Sequence, residues 1–159
     1  MKTAYFAGGC FWGMQYWFHK TKGTTNTEVG YSGGITDNPS YDDVCIGTTQ
    51  HTETVKVEYD PSITNYEALV KVFFEIHDPS QLNRQGPDIG TQYRSAIFYQ
   101  TEEEKKIILS LIKILQKKGH TIVTELIAFS QFWKAEDYHQ KYYFKNGQTP
   151  YCHIRIKKF

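Results

Sequence analysis

The chain has 159 residues, enough for one domain with a sizeable core. Its 18 basic and 17 acidic residues nearly cancel, so there is no basic excess to hold nucleic-acid phosphates. No apolar run approaches the roughly 20 residues of a membrane span, and three widely spaced cysteines do not make a secreted disulfide framework.

The first predicted element is a strand from Thr3 to Ala7. The start MKTAYFAGGC imitates a lipoprotein signal, but its apolar part is too short and contains Tyr5, so a cytoplasmic protein is expected. The strand runs into Gly8-Gly9-Cys10-Phe11-Trp12-Gly13, on which the reading of the chain centres. Two glycines let the backbone turn and approach a ligand closely. A helix is predicted over residues 11 to 21, with Phe11, Met14 and Phe18 on one face and Gly23 as its stop. Cys10 therefore sits at a helix N-terminus, where unpaired N–H groups and the dipole favour a thiolate. A structural cysteine could follow the same turn. The glycines before it and the two aromatics after it favour a nucleophile beside an apolar pocket.

Asn26 to Tyr31 reads as a second strand, ended by Gly33-Gly34. Residues 35 to 51 show no periodicity and read as a long functional loop carrying Tyr41, Cys45 and His51. Thr52 to Tyr59 alternates as a half-buried strand. Thr64 and Glu67 suggest a capping box for a helix bearing Tyr66, Leu69, Val70, Phe73 and His77. Residues 79 to 92 form a second long loop, and Tyr93 to Tyr99 a fourth strand. Thr101 and Glu104 open another helix, closed by Gly119, and Ile122 to Phe129 is a fifth strand. Residues 135 to 145 are weakly helical, and a tail over about 146–159 carries Cys152.

This order predicts a single α+β domain over 1–159, of the ferredoxin-like split β-α-β kind. A mixed sheet carries helices packed on it, and the long loops and C-terminal tail are free to converge on the first strand-to-helix turn.

Glu53 shares strand parity with Val55, Val57 and Tyr59, which aims its carboxyl at the apolar face. Burial would raise its pKa and keep a proton to donate; parity alone fits a solvated glutamate at a strand end equally well. Asp88 and Tyr93 lie in a polar, glycine-rich stretch, and singly each reads as ordinary turn chemistry. Cys152 in the tail could condense with a sulfenic acid elsewhere, and Cys45 is its rival. The six histidines show no zinc spacing, so no metal is assigned.

The chain resembles the A-type peptide methionine sulfoxide reductases. Gly9-Cys10-Phe11-Trp12-Gly13 is their signature, and the likeness continues through Gly30-Tyr31-Ser32-Gly33-Gly34 and Asn38 to Cys45. It runs on through His51-Thr52-Glu53, Val57 to Pro61, His77-Asp78-Pro79, Gly90 to Ser95, Ala135 to Gln140 and Tyr151-Cys152. The resemblance implies that Cys10 attacks the sulfoxide sulfur while Phe11 and Trp12 hold the S-methyl group. It implies Glu53 as the acid, Tyr41 and Tyr93 as donors to the oxygen, Asp88 as an ordering group, and Cys152 as the resolving thiol. The implied substrate is the S epimer of methionine sulfoxide, free or in oxidised proteins. The resemblance implies no bound cofactor and thioredoxin or another dithiol as the external reductant, and a monomer is expected. Two departures stand out. Gln15 occupies a place where many members have Glu, and no further cysteine follows Cys152 to relay its disulfide.

Two rival functions fit parts of the same sequence. One is a cysteine hydrolase or acyltransferase using Cys10, a His base such as His77, and Asp78 or Asp88. The other is a non-enzymatic module that binds peptides in a ring-lined pocket.

Overall fold

The computed structural model describes residues 1–151 and 153–159; Cys152 lies outside the described residues. Among the described residues there are eight strands: β1 (Lys2–Gly8), β2 (Thr24–Ser32), β3 (Thr52–Tyr59), β4 (Arg84–Gln85), β5 (Asp88–Ile89), β6 (Ser95–Tyr99), β7 (Glu125–Ala128) and β8 (Phe132–Lys134). The helices are α1 (Phe11–His19), α2 (Tyr41–Ile46), α3 (Tyr66–Glu75), α4 (Glu102–Lys117) and α5 (Tyr142–Asn146).

Six strands form one mixed sheet in the order β7-β6-β1-β3-β2-β8. Its centre, β6-β1-β3-β2, is antiparallel throughout, and only β7 joins in parallel, on β6. The units β1-α1-β2 and β3-α3-β6 therefore interlock, each spanning a strand of the other. This is the expected split β-α-β arrangement. Alternate residues of the strands, including Phe6, Val55, Val57 and Ile97, meet Met14, Phe18, Leu69, Phe73, Ile108 and Leu111 from α1, α3 and α4 in one buried cluster.

The opposite face carries a smaller cluster of Tyr5, Ala7, Ala96 and Phe98. Phe129 stacks on Tyr5 with centroids 4.1 Å apart, and Phe132 lies 5.6 Å from the same ring. Three residues, 129 to 131, join β7 at one edge to β8 at the other. Four Cα steps reach about 14 Å, whereas five strand spacings in a flat sheet would need about 24 Å. The sheet must curl to bring its edges together.

Several boundaries differ from expectation, each for a local reason. The long loop after β2 contains α2, nucleated by a capping box in which Ser40 and Asp43 exchange side-chain-to-backbone bonds. The N-cap of α3 is Asn65, whose Oδ1 accepts from Ala68 N at 2.8 Å, not Thr64. Thr101 does cap α4, but the Glu104 carboxylate accepts from Gln100 N, one residue earlier than a capping box requires. Tyr93 ends a 3-10 turn over Thr91–Tyr93 instead of starting a strand. The strand expected from Ile122 begins at Glu125. The sequence reading missed β8; the region 135–145 holds a 3-10 turn and the five-residue α5. Among the described residues, no helix is long and apolar enough to cross a membrane.

Candidate active site

The edge of the site is the turn between β1 and α1. Gly9 takes φ +95°, a conformation L side chains rarely adopt, and Cys10 follows as the N-cap residue of α1. Cys10 is 8% exposed. No acid occupies the first turn of α1. The carboxylate that serves its open N–H groups comes from another element: Glu53 Oε1, on β3, accepts from Phe11 N at 3.1 Å.

Glu53 is 2% exposed, which settles what strand parity left open. Burial, then the neighbouring Cys10 charge, hold its pKa well above the ordinary carboxylate range, against the opposing pull of the Phe11 N–H. Among the described residues, Glu53 Oε2 is buried with no hydrogen-bond partner. A neutral carboxyl with one oxygen committed and the other open is a proton donor waiting for an acceptor.

Tyr41 and Tyr93 border the same carboxyl. Burial and then Glu53 push both phenols above their ordinary range, so both remain O–H donors at neutral pH. Tyr93 also feels Asp88, Cys45 and Cys10. Asp88 lies on β5, in the small hairpin with β4, and bears on both Glu53 and Tyr93. Cys10, Tyr41, Glu53, Asp88 and Tyr93, spread over 84 positions of sequence, are thus within electrostatic reach of one carboxyl. Cys45 is exposed on α2; its thiol bonds the Tyr41 side chain, and partial desolvation, followed by the Glu53, Asp42 and Glu136 carboxylates, pushes its pKa up against that bond.

The aromatic wall is more divided than the sequence suggests. Phe11 is 1% exposed and forms the floor, packed on Tyr31 and near His139. Trp12 keeps part of its surface open, stacks on Tyr142 at 3.8 Å, and donates from Nε1 to His139 Nδ1 at 3.0 Å. A cleft of about 570 Å³ opens beside it, lined by Trp12, Tyr142, Tyr143 and Tyr151.

Residue-by-residue reading of the sequence missed the supports behind these groups. Glu136 accepts from the Tyr31 hydroxyl at one oxygen and from Tyr41 N at the other, both at 3.0 Å, and so fixes where α2 presents Tyr41. Gln140 bridges Val29 N and O. Gln15 is buried; its amide donates to Thr27 O and Oγ1, while its carbonyl accepts from Lys141 N at 2.7 Å. This ties α1 to the segment carrying His139. Gln15 stood out in the sequence only as a departure from the family, and the one signal for Glu136 and Gln140 was the stretch Ala135–Gln140, which has no useful periodicity. Gln15→Leu should strand the Lys141 N–H and the Thr27 hydroxyl and cost roughly 3 kcal/mol in urea unfolding.

His77 does not serve Cys10. Its Nδ1 lies 2.6 Å from Phe73 O and its Nε2 2.8 Å from Ser95 Oγ, so both ring nitrogens are occupied. Burial lowers its pKa to about 3, too low for a useful base at neutral pH. Asp78 is engaged by the turn residues Ser80 and Gln81. The hydrolase reading loses His77 as its base. Among the described residues, no group of three or more His, Cys, Asp or Glu is placed to hold a metal ion.

Comparison with known proteins agrees with this geometry. The family described as peptide methionine sulfoxide reductase matches residues 2–159. A peptide methionine sulfoxide reductase MsrA of Sulfolobus acidocaldarius is 46% identical over 164 residues, covering 100% of this chain and 93% of that protein. The crystal structure of Mxr1 from Saccharomyces cerevisiae in reduced form superposes with a TM-score of 0.91 at 37% identity, covering 97% of this chain and 91% of that one. Mxr1 in complex with Trx2 shares the fold, with a TM-score of 0.66 at 22% identity over 97% of this chain and 88% of that one.

Proposed function

The chain belongs to the peptide methionine sulfoxide reductase family, and we propose that it reduces the S epimer of methionine sulfoxide with Cys10 as nucleophile and Glu53 as acid. The observation that carries this reading is the buried Glu53 carboxyl, bonded to the α1 N-terminus beside Cys10 with its second oxygen open. Sulfoxide oxygen leaves sulfur poorly unless it is protonated. Glu53 supplies that proton from a site where its neutral form is favoured. The Tyr41 and Tyr93 hydroxyls hold the oxygen, and Asp88 orders the polar side. Phe11 and Trp12 receive the methyl group.

The thiolate of Cys10 attacks sulfur and takes up the oxygen, giving methionine and a sulfenic acid on Cys10. The Cys152 thiolate then attacks the sulfenic sulfur, forming a disulfide and releasing water. A dithiol reduces that disulfide and leaves oxidised; thioredoxin is the natural candidate, given the yeast Mxr1–Trx2 complex. The two thiols carry both electrons, so no bound cofactor takes part. Cys152 is preferred to Cys45 because its chain neighbours lie by the turn that carries Cys10: Tyr151 lines the cleft beside Trp12, and His153 Nε2 is 2.7 Å from Gly8 O. A monomer in the cytoplasm completes the proposal, in keeping with the odd, widely spaced cysteines.

A racemic methionine sulfoxide assay with dithiothreitol tests the reading. Consumption should stop at about half the total, leaving the R epimer. Complete consumption would refute the stereochemical assignment, and a binding module would consume none.

A further inference from the structure

The segment after Cys152 is docked on the body of the protein. Trp17 Nε1 donates to His153 O at 2.9 Å, and Ile156 N donates to Glu75 O at 2.8 Å. The Arg155 guanidinium pairs with Glu75 Oε1 at 3.0 Å, while Lys158 N donates to Glu75 Oε2 at 3.0 Å. Most of these ties fix the far end of the tail to α3. One reaches the catalytic turn. His153 is 1% exposed, and its Nε2 lies 2.7 Å from Gly8 O, two residues before Cys10. A carbonyl only accepts, so Nε2 carries the proton. The ring fits a socket that Gly13 makes possible: a Cβ there would lie 2.2 Å from His153 Nδ1, whereas one on Gly9 would meet the Gln85 side chain at 2.7 Å before His153 Nε2 at 3.2 Å. Gly13 therefore accommodates the tail.

We propose that His153 is a positioning residue for the second half of the reaction: its ring, plugged between Gly8, Gly9 and Gly13, tethers Cys152 within reach of the sulfenic acid on Cys10. This rests on the reading above, in which Cys10 is the nucleophile and Cys152 the resolver. The geometry supports it directly. Cys152 is joined to His153 by one peptide bond, and His153 is bonded to the strand that delivers Cys10. A short tether between two reacting groups raises their effective concentration, and lengthening or loosening it lowers that concentration. Without the ring in its socket, His153 keeps its backbone tie to Trp17 on α1, but the tail loses its bond to Gly8 O in the turn that carries Cys10, and the remaining ties lie farther on, from Arg155 and Ile156 to Glu75. His153 does not touch substrate and takes no part in oxygen transfer.

The test is a single turnover without reductant on the full chain, timing methionine release and the loss of two thiols separately. His153→Ala should release one methionine per chain at the wild-type rate but form the disulfide at least about tenfold more slowly, with sulfenic acid accumulating in between. His153→Gln, whose amide can donate to Gly8 O, should recover most of the lost rate. A disulfide rate in His153→Ala equal to or above wild type would overturn the proposal. So would a parallel loss of methionine release, which would make the ring a support of the nucleophile's turn. Failure of wild type to release methionine would instead sink the underlying reading.

Discussion

Cys10→Ser is expected to abolish methionine formation, a fall on the order of 10⁶-fold, the scale found when a nucleophile is deleted. The reason is electronic as well as acidic. The oxygen leaving methionine must be accepted by an atom that can bond it stably; sulfur forms a sulfenic acid, whereas a serine oxygen would have to form an O–O bond. The substitution is nearly isosteric at a site 8% exposed, so folding should be unaffected. The check is methionine release with dithiothreitol present in excess, alongside circular dichroism to show an intact fold. Residual turnover near the wild-type rate would mean that another thiol, Cys45 or Cys152, performs the attack.

Glu53→Gln is the second large effect, and it should move activity and stability in opposite directions. The amide keeps an oxygen for the Phe11 N–H, now met at 3.1 Å, but cannot deliver a proton to the sulfoxide. Loss of a positioned general acid costs about 10²–10⁴-fold in kcat/KM. The wild-type rate should decline as pH rises through the raised pKa of Glu53, and the variant should lack that limb. Stability follows from the same shift. Between the unfolded pKa, about 4.3, and the raised folded value, the native carboxyl holds a proton that the unfolded chain has lost. Native protein then binds more protons than unfolded protein, so stability falls as pH rises across that window, by about 1.4 kcal/mol per pH unit. Gln has no such liability, and Glu53→Gln should unfold at higher urea concentration than wild type at pH 8. An unchanged rate, or an unfolding midpoint that drops, would contradict the buried-acid account.

The sequence was most informative where periodicity and chemistry coincide. The alternation of Val55, Val57 and Tyr59 located β3 and put Glu53 on its buried face; only the three-dimensional packing shows how dry that position is. Gly8 to Gly13 announced the turn between β1 and α1, but the reason for Gly13 lies at the other end of the chain, in the His153 ring. That contact spans 140 residues, and nothing local to His153 signals it. Helix α2 was hidden because it is short and mostly exposed, so it lacks an apolar stripe; its capping box is the legible trace. Strand β8 has three residues, too few for alternation to show, yet Gly30 exists to let it close: a Cβ there would lie 2.3 Å from Trp133 O. Glu136 and Gln140 were visible as part of a family-like stretch, but their roles depend on Tyr31, Tyr41 and Val29, a hundred positions away or nearly so.

The central claim, that Cys10 takes the oxygen and Cys152 closes the cycle, is tested most directly by one turnover of reduced enzyme on S-methionine sulfoxide with no reductant present, followed by peptide mass mapping. The account predicts about one methionine per chain and a Cys10–Cys152 disulfide. Methionine with a Cys10–Cys45 link would contradict the resolving half, and no methionine at all would contradict the whole.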